Sequence, residues 1–109
     1  MSVGNLLKET TTVTAVDSAA TVYGLPSGGT VGFQITGTMT GTTITFECTV
    51  DGVNWVPVNA TPSNGTTAVT TATATGAWSR NSGGYVAIRA RCSTFASVSP
   101  VLTVRYVGS

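Results

Sequence analysis

Apolar and polar residues alternate with a period of two along most of this chain. The clearest run is Thr42 to Val50, in which Ile44, Phe46, Cys48 and Val50 fall on one face and Thr43, Thr45, Glu47 and Thr49 on the other. That is the pattern of a half-buried β-strand. Asp51 and Gly52 supply a turn, and Trp55, Val56 and Val58 open a return strand. Val31, Phe33 and Ile35 alternate in the same way before Gly37, as do Val86, Ile88, Ala90 and Cys92 against Ala87, Arg89 and Arg91. A last strand over Val101 to Val107 directs Leu102, Val104 and Tyr106 inward and Thr103 and Arg105 outward.

Weaker signals fill the gaps. The β-branched run Thr10 to Val16 reads as an opening strand, Thr21 to Leu25 extends or repeats it, and Pro26-Ser27-Gly28-Gly29 is a turn signal. Thr61-Pro62-Ser63-Asn64-Gly65 reads as an exposed loop tip, because Asn-Gly tolerates positive φ. Thr66 to Thr75, mostly Thr and Ala around Val69, reads as an edge strand whose small side chains let another surface approach. Gly76 to Arg80 is a short strand carrying Trp78. No segment has helical periodicity. The pattern predicts an all-β domain over residues 10–109, a single antiparallel β-sandwich of about eight strands at the spacing typical of sandwiches and barrels, with a jelly roll favoured by the strand number. Met1 to Glu9 precede it as an extended N-terminal arm, whose Val3, Leu6 and Leu7 have no strand partner nearby and are expected to contact a partner.

Composition narrows the function. The 109 residues suit one domain with one core, needing no metal or disulfide to fold. Charged residues are only 8% of the chain and the net charge is +1, so solubility rests on hydroxyls and backbone, and association with other copies or a larger assembly is favoured. Lys8, Arg80, Arg89, Arg91 and Arg105 are too few and too scattered to neutralise a run of phosphates, which argues against nucleic acid. No apolar run is long enough for a membrane helix, and MSVGNLLKETTT lacks the basic start and apolar stretch of a signal peptide, so synthesis in a cytosol without conventional export is expected.

Candidate chemistry is sparse. The chain has no histidine, the commonest general base and metal ligand. Its acids are Glu9, Asp17, Glu47 and Asp51, and only the last two are close in sequence. Asp51 has an ordinary role in capping the turn that Gly52 completes. No catalytic residue, cofactor site or metal site is expected, and the glycine pairs precede no helix that would make them phosphate loops. Cys48 and Cys92 continue inward apolar series and read as buried free thiols; the other reading is a cross-strand or cross-sheet disulfide formed after release. Trp55, Trp78, Tyr23, Tyr85 and Tyr106 offer a possible platform for sugar rings. Against that, Trp55 is placed to cap the open end of the core and Tyr85 and Tyr106 to stand at strand ends where a hydroxyl reaches water, while Trp78 is divided between core and a surface partner contact.

The stretch VGFQITGTMTGTTITFECTVDGVNWVPVNA, followed by GGYVAIRARCSTFASVSPVLTVRYVG, resembles a small β-sandwich domain that recurs in structural proteins of tailed bacteriophages. The matching features are the strand Val31 to Gly37, the strand Thr43 to Glu47, the turn Asp51 to Trp55 and the strand Tyr85 to Arg91, in that order. The resemblance covers Val31 to Gly108, brings no catalytic residues, and departs at Cys48 and Cys92. It implies a virion structural protein. One sandwich with an arm is similar to a capsid decoration, or cement, protein made in the bacterial host cytoplasm, which would bind the major capsid protein and copies of itself. The alternatives are a tail or head-tail connector component, or a carbohydrate or receptor-binding module using Trp55, Trp78 and the tyrosines.

Overall fold

The computed structural model describes residues 7–26 and 28–108. Ten strands follow one another: β1 (Lys8–Thr12), β2 (Ala19–Tyr23), β3 (Thr30–Thr36), β4 (Thr43–Thr49), β5 (Val56–Pro57), β6 (Thr61–Pro62), β7 (Thr71–Ala72), β8 (Gly76–Asn81), β9 (Ala87–Thr94) and β10 (Val101–Val107). They form two antiparallel sheets. Sheet A has the order β1-β10-β3-β8-β6; sheet B has β2-β9-β4-β5, with β7 also on β4. Without the two-residue strands β6 and β7, the order 1-10-3-8 faces 2-9-4-5. This is jelly-roll order, in which most connections cross from one sheet to the other.

The alternation read from the sequence places the core. Val31, Phe33 and Ile35 of β3 and Leu102, Val104 and Tyr106 of β10 face Ile44, Phe46 and Cys48 of β4 and Ile88, Ala90 and Cys92 of β9, all buried. Phe33 meets Phe46 across the gap with ring centroids 4.5 Å apart, and Phe46 meets Trp78 at 5.4 Å. Each large side chain buried here contributes about 1.5–3 kcal/mol.

The structure corrects several boundaries. β1 begins at Lys8 and ends at Thr12, so the sheet takes in the last two residues of the expected arm and loses the end of the expected first strand. Val13 instead drops into the core, its N–H donating to Pro100 O. The chain then turns, with the Ser18 hydroxyl accepting from the N–H groups of Thr14 and Ala15 and with Asp17 at φ 73°. Thr61 and Pro62, expected in a loop tip, are edge strand β6 against β8, a position where proline's missing N–H leaves no ladder bond unmade. Of Thr66 to Thr75 only Thr71–Ala72 is a strand, although Val69 also bridges Ala60.

Val50 and Val86, expected inward, are exposed, whereas Ala87, expected outward, is fully buried. Val50 lies one residue past the last β4–β9 pair, Thr49 with Ala87, so the pleat no longer fixes its direction. Ala87 is enclosed on the outer face of sheet B between its cross-strand neighbours Tyr23 and Thr49.

Candidate functional site

All four carboxylates of the chain accept hydrogen bonds from within it. Glu9, on β1, accepts from the Thr21 N–H of β2 at 2.6 Å and so ties together the neighbouring edges of the two sheets. Asp51 Oδ1 accepts from the N–H groups of Val53 and Asn54, both at 2.8 Å, and from the Thr49 hydroxyl at 3.0 Å, while Asn54 Nδ2 donates to Oδ2 at 2.8 Å. These bonds, led by the Asn54 and Val53 amides, hold the Asp51 carboxyl well below the usual carboxylate range. This is the turn-capping role expected of it.

Glu47 and Asp17 belong to an ion network on the outer face of sheet B. Glu47 projects away from the core, yet its side chain is only 8% exposed. Its Oε1 accepts from Arg89 Nε at 2.7 Å and Arg91 Nε at 3.0 Å, and its Oε2 from an Arg91 terminal nitrogen at 3.1 Å. Arg91 also donates to Asp17 at 2.7 Å. The Arg89 guanidinium stacks on the Trp55 ring, 4.1 Å from its centroid. Burial pushes the Glu47 carboxyl up, but hydrogen bonds from Arg91 and then Arg89, with their charges, outweigh it and leave the pKa below its ordinary value. Such an acid is fixed as an anion and is a poor proton donor or base. Glu47 and Asp51 thus do not meet as a catalytic pair. Among the described residues no group of three or more His, Cys, Asp or Glu side chains is placed to hold a metal ion, and no helix is long and apolar enough to cross a membrane.

The fold is shared with a prophage-derived protein. The crystal structure of the SPBc2 prophage-derived protein YomS is similar with a TM-score of 0.71 and 12% identity, over 92% of this chain and 93% of YomS. The PBSX exported protein XepA is similar with a TM-score of 0.69 and 14% identity; the match takes in 92% of this chain but 38% of XepA. No family model and no curated protein matches the sequence.

The aromatic residues do not gather into one platform. Trp78 is half-buried and packs on the core through Phe46, and Tyr106 is buried. Tyr85 packs against the core and carries the Arg80 guanidinium 5.3 Å from its ring centroid. Trp55 does not cap the core, because it shares the outward face of Pro57, paired with Glu47, and is drawn onto Arg89. Tyr23 is exposed. Of the expected arm contacts, Val3 and Leu6 lie outside the described residues, and Leu7 packs partly against its own core.

Two surfaces were not singled out by the sequence reading. At one end of sheet B, Tyr23, Val50, Val53, Val56 and Val86 are exposed, carried by β2, β5 and the loops that flank β4 and β9. Val50 and Val86 were hidden by the assumption that alternation runs on past the last ladder pair. The second is the outer face of sheet A, a shallow groove of about 500 Å³ lined by Lys8, Thr10, Thr30, Gly32, Gln34 and Arg105 among others. Its residues were legible only as the outward positions of separate strands; register brings them together.

Proposed function

We propose that this protein is a non-enzymatic structural component of a tailed-phage virion, and that it acts as a capsid decoration protein, binding the outer capsid lattice and neighbouring copies. The observation that carries the non-enzymatic reading is the engagement of all four carboxylates in internal hydrogen bonds. The chain has no histidine, and its side-chain carboxylates are all engaged, so the groups most often used for acid-base catalysis are missing or committed. The jelly roll shared with YomS, and the resemblance of Val31 to Gly108 to phage structural domains, support the virion assignment. The low charge fits a subunit held at high copy number on a lattice.

The carbohydrate-binding alternative has less support, since Trp55 is committed to Arg89 and Trp78 to Phe46. Electron microscopy of purified particles, with this chain carrying a gold-binding tag, tests the role. Label spread over the head is expected. Label confined to the tail or the connector would replace the decoration role, and unlabelled particles would remove the protein from the virion.

A further inference from the structure

Cross-strand register sets five residues in one row across the outer face of sheet A: Lys8 on β1, Arg105 on β10, Gly32 on β3, Ser79 on β8 and Thr61 on β6. The adjacent row is Thr10, Thr103, Gln34 and Ala77. Two choices in the first row work against the fold. Lys8 and Arg105 are directly opposed like charges, both exposed, and neither forms a salt bridge with a carboxylate among the described residues. Like charges in that position repel and destabilise the pair of strands. Beside them Gly32 sits in the middle of an inner strand, where glycine has no side chain to pack and loses the most chain freedom.

Sterics do not demand that glycine. A β-carbon at position 32 would meet nothing nearer than 4.0 Å, from the backbone oxygens of Arg105 and Trp78. Gly32 instead leaves a depression in the groove, flanked by two cations, by the hydrogen-bonding side chains of Thr10, Thr30, Gln34 and Thr103, and by the apolar Ala77 and Val107. Locally unfavourable residues gathered in one place mark function more often than folding, and a strand glycine often marks where another backbone approaches closely.

We infer that the outer face of sheet A binds an extended acidic peptide segment of a partner protein, its backbone lying over Gly32 and its carboxylates against Lys8 and Arg105. Two cations suit a pair of carboxylates and fall short of a run of nucleic-acid phosphates. Hydroxyl and amide side chains repeating every second residue match the period of an extended peptide. The inference does not depend on the capsid role, because the groove is a property of the isolated chain.

Titration of the ¹⁵N-labelled full-length protein with an alternating Thr/Glu octapeptide at low salt, followed by amide NMR, tests it. Shifts are expected at Lys8, Thr10, Gly32, Gln34 and Arg105, fading as salt is added. Replacing both cations, Lys8→Gln with Arg105→Gln, is expected to weaken binding about tenfold, from two exposed ion pairs. Gly32→Val fills the depression and is expected to hold or raise the melting temperature while losing at least as much affinity as the double variant. Absence of shifts on this face would overturn the proposal, as would equal binding of the matched Thr/Gln peptide. Undiminished binding by the double variant or by folded Gly32→Val would do the same, and equal binding of inorganic triphosphate at these residues would overturn the assignment to a peptide.

Discussion

At the scale of single residues, Glu47 concentrates the most consequence in the least space. Its outward position in β4 was legible from the alternation; its burial was not, because Arg89, Arg91 and Trp55 arrive from elsewhere in sequence. Glu47→Ala leaves the largely covered Arg89 guanidinium without its acceptor and Arg91 with Asp17 alone, and is expected to cost about 2–3 kcal/mol, a fall of roughly 10 °C in Tm by calorimetry. The acid response follows from the lowered pKa. The unfolded chain takes up the Glu47 proton more readily than the folded one, so this contribution is complete above the ordinary value of 4.5 and is lost as pH falls through the lower folded value. Tm is therefore expected to drop more steeply below about pH 4.5 in the wild type than in Glu47→Gln; parallel curves would remove Glu47 from the acid response. Thr42 presents the opposite case, a buried hydroxyl with no hydrogen-bond partner. Thr42→Val keeps the shape and removes the unsatisfied oxygen, and is expected to raise stability by up to about 1 kcal/mol in denaturant titration.

At the scale of elements, long strands were legible as strands, whereas of the two-residue strands β5 and β7 were legible only as parts of longer expected strands and β6 not at all. β3, β4, β9 and β10 are each seven or eight residues long, enough for a period of two to declare itself. β5, β6 and β7 have two residues each, which carry no period at all. The start of β1 was hidden for another reason. Lys8 and Glu9 look like solvent-facing residues of a tail, and only pairing with Arg105 and Val104 makes them a strand. This divides the N-terminus into separable parts. Deleting residues 1–6 is expected to leave Tm nearly unchanged, whereas deleting 1–9 also removes the Glu9 link to Thr21 and two residues of β1, and is expected to lower it. If the decoration role holds, the shorter deletion weakens attachment to particles through loss of Val3 and Leu6. Equal melting of the two truncated forms would show that β1 adds nothing before Thr10.

For the whole molecule, the class of fold and most of the core could be read from the sequence, because inward positions of separate strands converge on one interior. The surfaces could not, because they are assembled by register between distant strands. Register also decides the fate of the cysteines. Cys48 is opposite Ile88, and Cys92 lies four residues further along β9, at least about 13 Å away at strand spacing. A disulfide needs its α-carbons within about 7 Å, so the two cannot bond within one folded chain. Burial pushes both thiols up, and both are free. Alkylating reagents are expected to leave both unmodified in the native protein and to label both on unfolding, in air-exposed samples as in reduced ones; mass spectrometry of the intact chain reads the result.

The place of β10 between β1 and β3 means that sheet A depends on the last of the ten described strands to be synthesised. A chain stopped before Val101 has no partner for β1, and its β3 is open along one side. Such a fragment is expected to give a disordered circular dichroism spectrum and to be digested rapidly by protease, and a folded fragment would contradict this. The topology thus acts as proofreading: a chain that lacks this strand never gains the shape of the closed sandwich.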